Sequence, residues 1–161
     1  MPVRVALNGF GRIGRMVFRA SVEAKRSDVT FVAINDLGPP ESNAHLLRFD
    51  SVHGPLHADV SVSGDEMVVD GHKIKVLKER DPAKLPWKDL GIDIVAECTG
   101  IFTDRDKAQL HLNAGAKRVL VSAPSSGADR TDHGHQPRLI VDYADSGPVL
   151  SQVVSGHTGH R

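Results

Sequence analysis

The stretch Val3–Gly14, VRVALNGFGRIG, decides the fold of this chain. It opens with a β-branched apolar run, Val3–Leu7, which is typical of a buried strand. After a glycine-rich turn the hydrophobic residues recur at the spacing of one helix face: Ile13, Val17, Ala20 and Ala24. The sequence therefore predicts a strand, a tight turn and a helix, in that order.

The glycines of this turn, Gly9, Gly11 and Gly14, follow a G-x-G-x-x-G pattern. In that pattern the first glycine permits the tight turn, the second lets a pyrophosphate approach the backbone, and the third lets helix and strand pack closely. Asp36 follows a second apolar run, Val29–Ile34, where its carboxylate can accept hydrogen bonds from ribose hydroxyls and would repel a 2′-phosphate. The pattern predicts a dinucleotide site that prefers NAD to NADP.

Short apolar runs and amphipathic stretches alternate along the rest of residues 1–122. The remaining predicted elements are a helix over Ser42–Phe49, antiparallel hairpins over Asp59–Val76, a strand over Ile92–Ala96, a helix over Asp104–Asn113 and a strand over Val119–Val121. The apolar positions of the last helix are Ala108, Leu110, Leu112 and Ala114, with Gly115 as its C-cap. This alternation predicts an α/β, Rossmann-like, doubly wound and mostly parallel sheet with a small antiparallel hairpin insertion on one side.

Length and composition exclude several classes of protein. The 161 residues suit one domain, and the 20 Lys and Arg only balance the 20 Asp and Glu, which argues against a nucleic-acid partner. One cysteine excludes an intrachain disulfide and a cysteine zinc cluster. No apolar run is long enough to cross a membrane, and the N-terminus does not resemble a signal peptide. We expect a cytoplasmic protein with no membrane partner.

Two other features have simpler interpretations than chemistry. Cys98 ends an apolar run with no activating histidine nearby, so we interpret it as a small buried hydrophobic residue. The histidines near the C-terminus have spacings that a metal could use, but we interpret them as part of a solvated polar tail: His133, His135, His157 and His160. The sequence predicts neither a catalytic residue nor a metal site.

Several motifs in series carry a family resemblance: NGFGRIG (8–14), VAINDL (32–37), HLLRFDSVHG (45–54), LPW (85–87), ECTGIFT (97–103) and HLNAGAKRVLVSAPS (111–125). With these, the chain from Met1 to about Thr131 closely resembles the N-terminal, cofactor-binding part of phosphorylating glyceraldehyde-3-phosphate dehydrogenase. The resemblance implies an NAD site formed by Asn8, Gly9, Gly11, Arg12, Ile13, Gly14, Asp36, Arg80, Thr99, Gly100, Phe102 and Ser122.

The resemblance also implies a role for each part of this site. The backbone amides of Arg12 and Ile13 would lie at the pyrophosphate, and Asp36 would hold the adenosine ribose. Arg80 would lie beside the adenine, and Ser122 would approach the nicotinamide end. The adenosine side would be lined by Thr99, Gly100 and Phe102.

Residues 132–161 do not resemble the family. We therefore expect an NAD-binding domain over residues 1–131 and a divergent, poorly ordered tail over residues 132–161. The family's S-N-A-S-C-T-T-N-C segment, which carries the catalytic cysteine, is absent. This leads us to expect a chain truncated before that cysteine, with a reading-frame change or a truncated gene as one hypothesis.

Such a chain would not be catalytically competent alone. Only the complete enzyme would bind a sugar-phosphate substrate, and the family is homotetrameric. Without the catalytic domain we expect an open sheet edge and self-association or marginal stability. Two alternatives stay open: a stand-alone nucleotide-binding module without catalysis, or a fragment of an erythrose-4-phosphate dehydrogenase.

Overall fold

Strands and helices follow one another in the predicted order. The computed structural model describes residues 2–25, 27–51, 54–99, 105–121 and 140–141. The helices are α1 (Arg12–Glu23), α2 (Pro40–Arg48) and α3 (Arg105–Asn113), with a 3-10 turn at Pro82–Lys84. The strands are β1 (Val3–Asn8), β2 (Val29–Asn35), β3 (Phe49–Asp50), β4 (Gly54–Pro55), β5 (Val60–Ser63), β6 (Glu66–Val69), β7 (His72–Leu77), β8 (Ile94–Glu97), β9 (Arg118–Val121) and β10 (Ile140–Val141).

Eight of these strands form one sheet in the order β10-β9-β8-β1-β2-β7-β6-β5. The five central strands, from β9 to β7, pair in parallel, and the outer pairs are antiparallel. The mostly parallel, doubly wound sheet is confirmed. The predicted hairpins are also present, and they continue the main sheet because β7 pairs in parallel with β2.

Both faces of the sheet are covered, which explains why its strands read as continuous apolar runs. Along β1, Val5 and Leu7 pack into one core, whereas Ala6 belongs to a second core that contains Trp87 and Val95. This division follows from the alternation of side chains along a strand. The two cores hold the central strands from both sides, so their carboxyl ends have fixed positions.

The structure corrects the limits of two predicted elements. Helix α2 begins at Pro40 and not at Ser42, because proline suits the first position of a helix, where no intrahelical N–H bond is needed. It ends at Arg48, since Phe49 is extended. Strand β8 begins at Ile94, two residues after the predicted Ile92, whose N–H bonds the Trp87 carbonyl instead.

Helix α3 departs from its predicted apolar pattern. Leu110, Leu112 and Ala114 are only half-buried, whereas the polar residue His111 is fully buried. The side chain of Ala108 lies outside the described part of the chain. Gly115 follows the helix with φ +113°, and its N–H bonds the Leu112 carbonyl, so the predicted helix stop is confirmed.

The C-terminal segment contributes one described strand. Ile140 and Val141 pair antiparallel with Val121 and Leu120, so the backbone edge of β9 has a partner at these positions. The predicted division at residue 131 and the poorly ordered tail otherwise fall outside the described residues. Within the described ranges, no helix is long and apolar enough to cross a membrane.

Candidate functional site

The glycine-rich turn between β1 and α1 has three different steric environments. Gly9 has φ +94°, and a Cβ built there would lie 2.9 Å from the backbone nitrogen of Thr99. A Cβ on Gly14 would lie 2.2 Å from the Gly9 carbonyl oxygen. A Cβ on Gly11, in contrast, would meet nothing within 4 Å. The first and third glycines are therefore required by the turn and its packing, and the second keeps the backbone open on one side.

Helix α1 begins directly after this open glycine. Gly11 is its N-cap and provides no side-chain hydrogen bond, and no acidic residue occupies the first turn of this helix. The first N–H groups of any helix lack intrahelical acceptors, and the helix dipole places positive charge there. The side chains of Arg12 and Ile13 are exposed, and Arg12 lies 3.8 Å from the Asp50 carboxylate. This end of α1 has the chemistry to hold an anion.

Asp36 joins the glycine turn to the loop after β2. Its Oδ1 accepts from the Phe10 backbone N–H at 2.9 Å. Its Oδ2 accepts from the Gly38 backbone N–H at 2.9 Å and from Asn43 Nδ2 at 3.1 Å. The side chain predicted to bind a ribose therefore also fixes the shape of both loops, which the sequence pattern did not indicate.

A cleft of about 530 Å³ opens between these loops. It lies at the carboxyl ends of β8, β1 and β2, where open α/β sheets bind their ligands. Its lining residues are Asn8, Gly9, Gly11, Asn35, Asp36, Leu37, Gly38, Glu79, Arg80, Cys98 and Thr99. A second cleft of about 410 Å³ lies elsewhere, between the C-terminal end of α1, β2 and the β6–β7 hairpin.

The structure brings most of the predicted site residues together. Six line the main cleft: Asn8, Gly9, Gly11, Asp36, Arg80 and Thr99. Three more form the adjoining first turn of α1: Arg12, Ile13 and Gly14. Gly100, Phe102 and Ser122 lie outside the described residues. Cys98 is half-buried, packs against the main core and also lines the cleft.

Two buried polar side chains that we did not predict hold the cleft walls. Asn35 Nδ2 donates to the Glu79 carbonyl at 2.8 Å, and Asn35 Oδ1 accepts from the Glu79 N–H at 2.8 Å. Glu97 Oε1 accepts from the Thr99 backbone N–H at 3.0 Å and from the Thr99 hydroxyl. Asn35 and Glu97 are polar residues that each end an apolar strand beside the glycine turn. That position in the sequence was the signal that could have identified them.

Comparison with known proteins decides the family. A family model described as "Glyceraldehyde 3-phosphate dehydrogenase, NAD binding domain" matches residues 3–105. The chain belongs to this family. The resemblance, the Rossmann-like fold and NAD as the cofactor of this type of domain are thereby confirmed. Gly11 is compatible with that cofactor, because its open side leaves room for a diphosphate at the start of α1.

Similar proteins of known name support the assignment to the glyceraldehyde-3-phosphate dehydrogenase NAD-binding domain family. A glyceraldehyde-3-phosphate dehydrogenase of Xanthobacter flavus is 64% identical over 131 residues, which are 81% of this chain and 39% of the relative. One of Thermotoga maritima is 55% identical over 128 residues, 80% of this chain and 38% of the relative. The chain thus spans about two fifths of the length of these relatives.

Within the described residues, no group of three or more His, Cys, Asp or Glu side chains is arranged to hold a metal ion. The four tail histidines lie outside the described part of the chain.

Proposed function

We propose that the main cleft binds the adenosine diphosphate half of NAD and that the chain is the cofactor-binding part of a phosphorylating glyceraldehyde-3-phosphate dehydrogenase. One observation carries this proposal: the Asp36 carboxylate, the open side of Gly11 and the start of α1 converge on one cleft. A carboxylate for a ribose and free N–H groups for a diphosphate are the two features that distinguish a dinucleotide site.

Each part of the site has a distinct role in this proposal. The N–H groups of Arg12 and Ile13 would hold the diphosphate, and Asp36 would accept from the adenosine ribose. Arg80 is exposed at the cleft and would cover the adenine, with Thr99 on the opposite wall. Gly100, Phe102 and Ser122 complete the proposed site on the strength of the family resemblance. When bound, NAD supplies the hydride acceptor, and the chain's residues bind and orient it.

For the whole enzyme we propose the family's reaction, the oxidation and phosphorylation of glyceraldehyde 3-phosphate. In the family a cysteine thiolate attacks the aldehyde, a histidine takes the proton, and phosphate releases the acyl group. Cys98 is the one cysteine of these 161 residues and stands in an E-C-T-G context, not in S-C-T-T-N. This stretch of chain therefore contributes the cofactor site and not the nucleophile.

We extend the proposal to a cytoplasmic location and a homotetrameric assembly. The family resemblance supports both, and the single cysteine agrees with a reducing compartment. Experiments distinguish this proposal from the two alternative functions. A stand-alone nucleotide module would bind NAD without being part of any dehydrogenase, and an erythrose-4-phosphate dehydrogenase would prefer the longer sugar phosphate in a full-length relative.

Titration calorimetry of the full chain with NAD and with NADP tests the proposed cofactor site. A second anion beside Asp36 would be repelled, so we expect NAD to bind at least about tenfold more tightly than NADP, or roughly 1.4 kcal/mol. Asp36→Ser should reduce the ratio of NAD affinity to NADP affinity. It should also lower the affinity for NAD, because the hydrogen bonds from the Phe10 and Gly38 backbone N–H groups are lost. Asp89→Ser, at an exposed turn, is the matched control and should change neither affinity. Equal affinities for the two cofactors in the unaltered chain would contradict the proposal.

A further inference from the structure

A buried polar network continues behind the cleft, from the site residues Asn8 and Thr99 to Glu97, His111 and Trp87, which the proposed NAD site does not use. His111 on α3 and Glu97 at the end of β8 have fully buried side chains, and His111 Nε2 lies 2.6 Å from Glu97 Oε2. The other ring nitrogen, His111 Nδ1, lies 3.1 Å from Trp87 Nε1, and Trp87 is also fully buried. Asn8 Nδ2 reaches the same Glu97 Oε2 at 2.6 Å.

Trp87 determines which nitrogen of His111 carries the proton. An indole N–H can only donate a hydrogen bond, so His111 Nδ1 must accept it. The ring proton of the neutral imidazole then resides on Nε2, which donates to Glu97. A doubly protonated ring would set an Nδ1–H group against the indole N–H. The hydrogen-bond pattern therefore assigns His111 as the neutral Nε2–H tautomer.

The opposite end of the network is fixed by a backbone group. The Glu79 N–H can only donate, so the atom of Asn35 that it meets must be Oδ1. Asn35 Nδ2 then donates to Asn8 Oδ1 at 2.7 Å, which leaves Asn8 Nδ2 for Glu97. The 3.4 Å separation of Asn8 Nδ2 and His111 Nε2 is thus a contact between two donors that converge on one oxygen.

Glu97 therefore receives donors from both sides. Asn8 and His111 donate to Oε2, and the N–H and hydroxyl of Thr99 donate to Oε1. These four donors from the described part of the chain suit the lone pairs of an ionised carboxylate, and such charge-assisted bonds are what a buried charge needs. The network depends on two obligate donors at its ends, the Trp87 indole and the Glu79 amide.

We propose that His111 and Trp87 are positioning residues for the nucleotide cleft. Neither lines the cleft among the described residues, yet both act on Glu97, which fixes the Thr99 wall and the Asn8 side chain directly before Gly9. Loss of the His111 donor removes one of the two donors described on Oε2, so we expect the Glu97 carboxylate to shift and to displace the Thr99 wall. The inference rests on the proposed function, because its readout is the affinity of the cleft for NAD.

Two substitutions of His111 separate positioning from packing. His111→Gln keeps an N–H donor for Glu97 and an oxygen for Trp87, whereas His111→Phe keeps a ring and removes both bonds. In titrations of the full chain with NAD we expect His111→Phe to bind about tenfold more weakly than the unaltered chain, and His111→Gln to bind within about threefold of it. Ile74→Val, a fully buried core change on β7, is the control and should leave NAD affinity unchanged.

Nitrogen-15 spectra of the labelled histidines supply a readout that packing alone would not move. We expect His111 to show the neutral Nε2–H pattern in the unaltered chain and a mixture of tautomers in Trp87→Phe. We also expect Trp87→Phe to lower the affinity for NAD several-fold. If His111→Phe does not fold, this spectrum and the NAD affinity of Trp87→Phe test the positioning role of the two residues.

The possible failures are distinguishable. An unaltered chain that does not bind NAD rejects the proposed function. An unaltered chain that binds NAD while His111→Phe or Trp87→Phe binds equally well rejects the positioning role alone. An Nδ1–H tautomer in the unaltered chain also rejects it.

Discussion

At the scale of single residues, the side chains at the ends of β8, β1 and β2 hold together the loops of the cleft that we propose for NAD. Asp36 was predicted as a ribose acceptor, and in the structure it also holds the Phe10 and Gly38 amides. The sequence could not indicate this second task, because a hydrogen bond between loops depends on how the strands are aligned. Asn8 and Asn35 are paired across neighbouring strands, a relation that emerges only from the parallel register.

Asp93 illustrates a charge effect at this scale. Burial alone would raise the pKa of Asp93, but the Arg4 backbone N–H and the Lys117 ammonium group outweigh it, and the pKa of Asp93 is lowered. Asp93 Oδ1 lies 3.0 Å from Lys117 Nζ, which is largely exposed. A lowered folded-state pKa stabilises the fold above the unfolded pKa of about 3.9, and this contribution is lost as the pH falls through the folded value.

We therefore expect Asp93→Asn to lower the free energy of unfolding at pH 7 by less than about 1 kcal/mol, since solvent screens the exposed partner. The difference from the unaltered chain should close as the pH falls below the unfolded pKa of about 3.9 and through the lowered folded-state pKa of Asp93. Urea denaturation across this pH range measures it, with Asp89→Asn as the control for removing a carboxylate from an exposed turn. A difference that grows towards acid pH would contradict the sign of the shift.

At the scale of elements, sequence patterns identified the strands, the glycine turn and the hairpins well. They did so because apolar runs, period changes and Asp-Gly turns report local burial and backbone geometry directly. They located α3 but missed its buried face, where the polar residue His111 is fully buried. A polar residue in a core position is stabilised by partners from Trp87 and Glu97, which are distant in sequence and therefore not visible in a helical period.

The turn between β1 and α1 gives a matched pair of glycine substitutions. Gly14→Ala places its Cβ 2.2 Å from the Gly9 carbonyl oxygen, so the backbone must shift and we expect a loss of about 1–3 kcal/mol in unfolding free energy. Gly11→Ala meets nothing within 4 Å, so we expect a stability change within about 0.5 kcal/mol.

The same pair should behave differently in NAD binding. The alanine methyl group of Gly11→Ala would occupy the side from which we propose that the diphosphate approaches, so we expect a weaker NAD affinity at nearly unchanged stability. Thermal unfolding and calorimetry of both variants give the comparison. A Gly11→Ala chain with full NAD affinity would show that the diphosphate does not contact this glycine.

At the scale of the whole molecule, the chain presents the cleft that we propose for the cofactor at the carboxyl edge of an eight-stranded sheet. The family resemblance predicted this architecture and the cofactor, while the tail and the division at residue 131 stay predictions. The apolar stretch Leu139–Val141 suggested partial cover for the sheet edge that we expected to be open. The pairing of Ile140–Val141 with β9 was not predicted, because a two-residue strand carries no periodic signal.

These 161 residues should not catalyse the family's reaction by themselves. We expect no NADH production from glyceraldehyde 3-phosphate, phosphate and NAD, because the S-C-T-T-N segment is absent from the sequence. Absorbance at the NADH band checks this, with Cys98→Ser as the diagnostic variant. Turnover that survives Cys98→Ser would reveal an overlooked nucleophile, and turnover that Cys98→Ser abolishes would show that Cys98 has a chemical role.

The most direct test of the account is a backbone amide NMR titration of the full chain with NAD. The account predicts saturable shifts that cluster at the glycine turn (9–14), at Asp36–Gly38, at Glu79–Arg80 and at Thr99, with little change around the second cleft near Lys25 and His72. Shifts that cluster at the second cleft, or no saturable shifts at all, would contradict the assignment of NAD to the carboxyl edge of β1 and β2.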